Sequence, residues 1–256
     1  MTEQLAVERG ASVLDNAAWH ALRGPQQEFA EVRGALLRYH HDVSVFSAIA
    51  DDDPASWADL AAASQPDDVH VLFRAGPLNP TAGWDVLFDG PGHQLVYSLD
   101  TVDIPALPTI DPGTGRAVTL RPLTDADVPA MLALIKLTEP GPFRPRTIEL
   151  GGYVGIFHDD ELVAMAGQRM RPPGHCEVSA VCTHPDARRR GYASVVTLTV
   201  ARGILARGER PFLHLAASNV AALAVYEQIG FVRRGPASFM AVRLTRGDEH
   251  SASGAH

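Results

Sequence analysis

Apolar residues recur with two different spacings in the second half of the chain. A spacing of two residues is typical of strands, whereas a spacing of three or four residues is typical of helices. In chain order the pattern predicts a strand at residues 118–121, a helix from 124, strands at 153–157, 162–170 and 175–183, a helix at 190–207, a strand at 211–216, a helix at 218–229, and strands at 231–234 and 238–244. The three consecutive strands in the middle of this order predict a meander.

The first hundred residues show a weaker pattern. Strands are predicted at residues 69–74, 84–88 and 94–99, and Asp53-Pro54 marks a helix start because proline is favoured near the first helical position. Between residues 101 and 116, five proline and glycine residues interrupt regular structure. We therefore predict an N-terminal domain at 1–100, a linker at 101–116, a second domain at 117–244 and a disordered polar tail at 245–256.

Composition and charge restrict the classes of function. The chain has 256 residues, 46% of them hydrophobic, which is enough for the cores of one large domain or two small ones. Its net charge of -8 repels nucleic acid and anionic membranes, so any anion has to be bound by a local basic site. No segment approaches the roughly 20 apolar residues that a membrane-spanning helix needs. We expect no nucleic acid and no membrane among the partners, and a cytoplasmic location.

The cysteine and histidine positions predict neither a disulfide nor a metal site. Cys176 and Cys182 lie six positions apart on one predicted strand, a separation of about 20 Å, whereas a disulfide needs Cα atoms closer than about 7 Å. Both should be free thiols, which suits a reducing compartment. None of the eleven histidines lies at the sequence separation from a cysteine or carboxylate that is typical of metal ligands, so no metal is expected.

One strand-to-helix junction, at residues 177–193, has the composition of an anion site. Its sequence is E-V-S-A-V-C-T-H-P-D-A-R-R-R-G-Y-A, in which Arg188, Arg189 and Arg190 precede Gly191. At such a turn, backbone N–H groups and the positive end of the helix dipole favour a negative ligand. An ordinary turn with a solvated arginine run would contain the same residues, and it is the preferred interpretation unless a second element supports the site.

That second element lies further along the chain, where Ser218-Asn219 is followed by Tyr226 and by Ile229-Gly230-Phe231. The turn itself, Arg188-Arg189-Arg190-Gly191-Tyr192-Ala193, fits the pattern of Gln or Arg, two residues, Gly, one residue, then Gly or Ala. Together the two elements resemble the acyl-CoA signature and late helix of the GNAT N-acetyltransferase superfamily. The resemblance covers residues 117–244 and extends broadly to the glycine N-acyltransferase-like branch. It implies an α/β (α+β mixed sheet) GNAT acyltransferase fold, with an N-terminal domain that is either a degenerate copy of the same fold or an unrelated cap.

The resemblance also implies an enzyme that transfers an acetyl (acyl) group from acetyl-CoA to a primary amine by direct attack in a ternary complex. Its implied coenzyme A binding residues are Val181, Cys182, Thr183, Arg188, Arg189, Arg190, Gly191, Tyr192, Ala193, Asn219 and Tyr226. Asn219 and Tyr226 are seven residues apart, so they face the same side of a helix. Tyr226 would reprotonate the leaving thiolate, and Glu177 would serve as the general base, directly or through water.

Other interpretations stay open for each of these residues. Tyr226 would also fit as a half-buried packing residue, Asn219 as a helix N-terminal residue, and Glu177 as a solvated carboxylate at a strand end. A non-catalytic acyl-CoA-binding or sensor protein would need only the turn and the strand before it, and nucleic-acid binding through the arginines is a third class. The acceptor, a small-molecule or peptide amine, and the oligomeric state, a monomer or homodimer, are not encoded in any recognisable motif.

Overall fold

Eight strands form one mixed sheet in the computed structural model, which describes residues 12–65 and 67–245. The strands are β1 (Ala30–Arg33), β2 (Leu36–Tyr39), β3 (Ser47–Ala48), β4 (Val69–Ala75), β5 (Trp84–Tyr97), β6 (Val118–Pro122), β7 (Val154–His158), β8 (Glu161–Gln168), β9 (His175–Thr183), β10 (Arg210–Ala216) and β11 (Phe231–Leu244). The helices are α1 (Ala17–Leu22), α2 (Pro54–Ala63), α3 (Val128–Thr138), α4 (Tyr192–Leu205) and α5 (Val220–Gln228). The large sheet has the order β4-β11-β5-β10-β9-β8-β7-β6, and β1-β2-β3 form a smaller sheet. This arrangement confirms the predicted fold class.

The second half contains the predicted meander and the helix that follows it. Strands β7, β8 and β9 pair antiparallel in succession, and β10 returns parallel to β9 after α4. Helix α4 buries Val196, Ala201 and Ile204 completely against one face of the sheet. Helix α3 buries Met131 and Leu134 in a separate core with residues of β8 and β9. Helices α3 and α4 therefore both pack on the sheet around β8 and β9.

Two long strands are exchanged between the two halves of the chain. The sequence pattern predicts four short strands at 84–88, 94–99, 231–234 and 238–244, but these residues form two continuous 14-residue strands, β5 and β11. The glycine and proline residues that suggest breaks stay extended because β5 and β11 pair with each other over their whole length, with a register shift at Arg233/Gly235. Strand β5 lies between β10 and β11, and β11 lies between β5 and β4.

The first half repeats the element order of the second half. Strands β1, β2 and β3 form an antiparallel meander, and α2 then leads to β4. An isolated parallel bridge joins Phe46, the residue before β3, to Val71 of β4. Strand β5 follows, as β11 follows β10 in the second half, although no helix corresponding to α5 precedes it among the described residues. Among the described residues, no strand corresponding to β6 precedes α1 either. The two predicted domains share one sheet because each contributes its last strand to the other.

The predicted linker at 101–116 is a packed segment. Its Val102, Ile104 and Leu107 lie against the core formed by α4 and the large sheet, and a single bridge joins Ile110 to Ala117. We call residues 101–116 the connecting segment below. The predicted tail at 245–256 lies outside the described residues, apart from its first residue. No helix in the described ranges is long and apolar enough to span a membrane.

Candidate active site

Strands β9 and β10 pair only where they begin. Their parallel ladder consists of His175 with Arg210, Cys176 with Pro211 and Glu177 with Phe212, and it stops there. Beyond Glu177, β9 continues to Thr183 along β8, whereas β10 continues to Ala216 along β5. The two strands therefore diverge and leave a gap in the middle of the sheet, which we call the β9–β10 gap. An extended ligand can reach backbone groups there without displacing a paired strand.

A bulge distorts β9 where it borders this gap. Opposite β8, the ladder shifts register between Met165/Cys182 and Gly167/Ser179, so two residues of β9, Ala180 and Val181, face a single residue of β8. Ala180 has a φ of 53°, which is left-handed and unfavourable for a residue with a Cβ. A bulge leaves its extra residue out of the ladder and is common next to active sites. The bulge therefore takes one residue of the pair Ala180 and Val181 out of the regular ladder beside the gap.

The turn of residues 186–191, which we call the basic turn, leads into the uncapped amino end of α4. Gly191 is the N-cap residue of α4, with a φ of 76°, and no side chain caps the helix. The first N–H groups of an α-helix have no partner within the helix, so those of α4 can bind an anion. A Cβ at Gly191 would meet no atom within 4 Å, so glycine is needed here for its left-handed φ and not for lack of space. Arg189 also has a left-handed φ, of 64°.

The three arginines of the turn have different surroundings. Arg188 and Arg189 are exposed to solvent, although the Arg188 Nε donates a long hydrogen bond of 3.4 Å to the carbonyl of Thr183. The Arg190 Nε lies 2.7 Å from the carboxylate of Asp111, and its Nη1 donates to the carbonyl of Asp186. The side chains of Arg188 and Arg189 can therefore turn to a ligand, whereas that of Arg190 is already paired.

The other residues predicted to bind the cosubstrate are located at the end of β9 and the start of α4. Val181 is half-buried in the core under α4, and the Thr183 hydroxyl is buried without a partner among the described residues. Burial raises the pKa of Cys182 to about 11, so its thiol stays protonated. The Tyr192 side chain is buried, so only its backbone N–H can reach a ligand, and the Ala193 N–H lies in the same first turn of α4.

Tyr226 lies on α5, and its phenol is close to β9. Its ring packs on Phe231 with centroids 6.0 Å apart, and within the described part of the chain no group hydrogen-bonds its hydroxyl. Burial raises its pKa, and the Cys182 thiol raises it further. A protonated hydroxyl without a partner can donate a hydrogen bond to a bound ligand.

Asn219 is the N-cap of α5. Its side-chain oxygen accepts a hydrogen bond of 3.2 Å from the N–H of Ala222, and the residue is exposed. The capping role therefore uses the carbonyl oxygen of the side chain and leaves its NH₂ group free to donate to a ligand. The sequence alternatives for Asn219, a helix-end residue and a ligand-binding residue, are thus compatible with each other.

Glu177 is completely buried, and all its acceptor sites are occupied. Its carboxylate accepts two hydrogen bonds from Arg169, at 2.7 and 2.6 Å, one from the His214 Nδ1 at 2.7 Å, and one from the N–H of Met170 at 3.3 Å. Burial by itself would raise the pKa of Glu177, but Arg169 and His214 together outweigh this effect and lower the pKa to about 2. This geometry argues against the predicted role as a general base, because a base needs a free lone pair within reach of the acceptor amine.

The Glu177 cluster continues into the first half of the chain. The His214 Nε2 lies 2.8 Å from the amide nitrogen of Gln94, whose oxygen accepts from Arg234, and Arg234 pairs with Asp15. These bonds are consistent with a neutral His214 that donates through Nδ1 and accepts at Nε2. Burial also lowers the pKa of His214. The cluster therefore connects the two halves and supports β9 at the point where the gap opens.

The sequence interpretation missed Arg169, His214 and Asp111. No local motif marks them, because each gains its role from a partner on another strand or segment, which is 8 positions away for Arg169, 37 for His214 and 79 for Asp111. For Asp111, an aspartate in a stretch rich in proline and glycine is typical of a turn. Cys176 and Cys182 are both free and buried, which confirms the prediction that they form no disulfide. Among the described residues, no group of three or more histidine, cysteine or carboxylate side chains is arranged to hold a metal ion.

Comparisons with known proteins agree with this arrangement. Residues 153–240 match the sequence model of the FR47-like protein family. A GNAT-family acetyltransferase structure from Novosphingobium aromaticivorans is 36% identical, with a TM-score of 0.79, over 92% of this chain and all of that chain. A GCN5-related N-acetyltransferase from Kribbella flavida is 20% identical, with a TM-score of 0.60, over 94% of this chain and 98% of that chain, and it supports the fold alone. No curated protein sequence matches the chain.

Proposed function

The chain belongs to the GNAT family of acetyltransferases, and from this premise we propose that it transfers an acetyl group from acetyl-CoA to a primary amine. One observation carries the proposal. The uncapped amino end of α4 follows β9 in the chain, the bulge of β9 borders the β9–β10 gap, and the hydroxyl of Tyr226 has no hydrogen-bond partner among the described residues. They would supply the three functions that acyl transfer from a thioester needs, which are an anion site, an oxyanion donor and a proton donor.

Different groups of residues would bind different parts of acetyl-CoA. The N–H groups of Gly191, Tyr192 and Ala193 would hold the pyrophosphate at the α4 amino end, with Arg188 and Arg189 providing positive charge. Backbone groups of residues 181–183 and the free NH₂ of Asn219 would bind the pantetheine arm in the gap. When bound, acetyl-CoA would supply the acyl group as a thioester, and backbone groups of the β9 bulge would bind its carbonyl oxygen.

The proposed reaction is direct attack by the neutral amine on the thioester carbonyl. A C–N bond forms, and a backbone N–H of the β9 bulge near Val181 stabilises the negative charge on the oxygen. The C–S bond then breaks, and the Tyr226 hydroxyl donates a proton to the leaving sulfur. The amine nitrogen loses a proton to solvent, and solvent returns a proton to the Tyr226 oxygen, so that amide and free thiol are the only products. Glu177 has no part in this scheme because its carboxylate is buried and fully hydrogen-bonded.

The direct test is turnover with a panel of amines. Purified protein is mixed with acetyl-CoA and with small-molecule amines, amino acids or peptides, and release of the free thiol is followed. Amine-dependent thiol release is the expected result. Tight binding of acetyl-CoA with no turnover for any amine or acyl chain would instead favour an acyl-CoA sensor. We also propose a cytoplasmic location, where acetyl-CoA and a reduced Cys176 and Cys182 are expected together.

We predict that each chain binds one acetyl-CoA although its fold is repeated. The turn before α2, which corresponds to the basic turn before α4, has the sequence Asp51-Asp52-Asp53-Pro54. Asp52 already accepts hydrogen bonds from the Trp57 Nε1 and the N–H of Asn79, both at 2.9 Å. Three carboxylates at this position repel a pyrophosphate. Isothermal titration with coenzyme A should therefore give a stoichiometry of one per chain, and a value of two would contradict the assignment.

A further inference from the structure

A buried carboxylate of the connecting segment contacts the basic turn. Asp111 has no exposed surface, and its Oδ1 accepts hydrogen bonds from the N–H of Gly113 at 3.0 Å and from both the N–H and the hydroxyl of Thr114, at 2.8 and 3.0 Å. Its Oδ2 lies 2.7 Å from the Arg190 Nε and accepts a bond of 3.2 Å from the Tyr192 hydroxyl. One oxygen therefore shapes the connecting segment, and the other holds the turn.

The two side chains that end on Asp111 belong to the residues on either side of Gly191. Arg190 comes immediately before the left-handed glycine and Tyr192 immediately after it, as the first residue of α4. The Tyr192 hydroxyl also lies 2.9 Å from the Nε2 of the buried His158 at the end of β7. Asp111 and His158 therefore fix the backbone at the point where the free N–H groups of the helix begin.

The Arg190 side chain also contacts the start of the turn. Its Nη1 donates to the carbonyl of Asp186, four residues earlier, so the guanidinium connects the start of the turn to the connecting segment. The segment closely fits this guanidinium, because a Cβ at Gly113 would come within 2.9 Å of the Arg190 Nη2. The pair with Asp111 neutralises Arg190, which leaves Arg188 and Arg189 as the exposed cations of the turn.

We propose that Asp111 is a positioning residue for coenzyme A binding, which holds Arg190 and Tyr192 so that the N–H groups around Gly191 point at the pyrophosphate. This inference rests on the proposed function. It gives the Arg190 side chain a structural role in the turn instead of a role as a phosphate ligand. The connecting segment thereby becomes part of the cosubstrate site. A flexible turn would have to lose conformational freedom on binding, whereas a turn fixed in advance does not.

The test replaces Asp111 with asparagine and uses Asp159→Asn as the matched control. Asp159 pairs with Arg116 at 2.8 Å, so it also anchors the connecting segment through an aspartate–arginine pair, but it does not touch the turn. Its φ of 52° is one that asparagine tolerates. Asp111→Asn should weaken coenzyme A binding about tenfold by isothermal titration and raise KM with little change in kcat, whereas Asp159→Asn should leave both constants within about twofold.

A truncated substrate separates positioning from general damage to the fold. S-acetyl-N-acetylcysteamine is a thioester without a pyrophosphate, so Asp111→Asn should leave its rate of acetyl transfer unchanged. If this rate falls in parallel with that for acetyl-CoA, Asp111 supports the whole site and the proposal is overturned. Wild-type affinity for coenzyme A in Asp111→Asn would also overturn it, and tighter binding would show that Arg190, once released, is itself a phosphate ligand.

A second variant keeps the test valid if Asp111→Asn does not fold. Tyr192→Phe removes one bond to Asp111 from a side chain that is buried, so the lost hydroxyl cannot have contacted the phosphates. We expect coenzyme A binding to weaken about threefold, and an unchanged affinity would overturn the proposal. Failure of the underlying function gives a different result, which is seen in the wild-type protein itself: it would bind no coenzyme A, or it would bind acetyl-CoA without turnover of any amine.

Discussion

Replacing Glu177 with alanine should lower the free energy of unfolding by about 3–5 kcal/mol, because it leaves a buried charge without its partner. Arg169 and His214 both donate to Glu177, the His214 side chain has no exposed surface, and the Arg169 side chain is only 11% exposed. Chemical denaturation followed by circular dichroism measures the change. The loss should appear as a lower denaturant midpoint, with the same slope if the unfolded state is unchanged.

A second ion pair of the same geometry provides the control. Glu149 also accepts two bonds from one arginine, Arg146, at 2.6 and 2.8 Å, but this pair is exposed to solvent. Glu149→Ala should therefore change stability by less than about 1 kcal/mol. Full stability in Glu177→Ala, together with loss of acetyl transfer, would contradict the structural role and restore the prediction of a general base.

The same pair makes stability depend on pH. The pKa of Glu177 is lowered from an ordinary value of 4.5 to about 2, so the folded state binds its proton more weakly than the unfolded chain does. The stabilisation is therefore complete above about pH 4.5 and is lost as the pH falls towards 2. Glu177→Gln should remove this part of the acid sensitivity, which unfolding curves measured between pH 6 and 3 would detect.

Replacing Tyr226 with phenylalanine should lower kcat for acetyl transfer by about 10²–10⁴-fold and leave the affinity for coenzyme A unchanged. The substitution keeps the ring that packs on Phe231 and removes only the hydroxyl, which has no hydrogen-bond partner among the described residues. Loss of this proton donor would force the thiolate to leave unprotonated. Steady-state rates and isothermal titration on the same preparation separate the two constants.

Tyr97→Phe is the matched control for this prediction. The Tyr97 ring also contacts Phe231, with centroids 5.1 Å apart, but its hydroxyl donates to the carbonyl of Thr101 and not into the gap. This variant should lose some stability, about 1 kcal/mol, and keep its kcat. If turnover and coenzyme A affinity are both normal in Tyr226→Phe, Tyr226 is not the acid.

The sequence was informative wherever a feature depends on neighbouring residues. The left-handed φ of Gly191 and the start of α4 at Tyr192 follow from a glycine placed directly before an apolar helical pattern. The meander of β7, β8 and β9 likewise follows from alternating residues and a short turn. The same local rules failed for β5 and β11, because pairing along the whole strand overrides the glycine and proline residues that suggested breaks.

Assignments that depend on distant partners could not be made from the sequence. Glu177 fits the position of a catalytic base in the motif, but its partners are at positions 169 and 214. Arg190 is one of three adjacent arginines, and only its contact with Asp111, 79 positions earlier, distinguishes it from Arg188 and Arg189. A charged side chain takes its role from the groups that surround it, and sequence spacing does not specify those groups.

The sequence by itself determined the order of elements from β6 to α5, the basic turn before α4 and the family resemblance, because each is encoded in residues that are close together in the chain. Only the tertiary structure decided that the two halves exchange their last strands, that Glu177 is buried in an ion pair and that Asp111 holds the turn. The physical reason is that helix starts and turns are set by local backbone preferences, whereas burial and ion pairing arise only when distant segments meet.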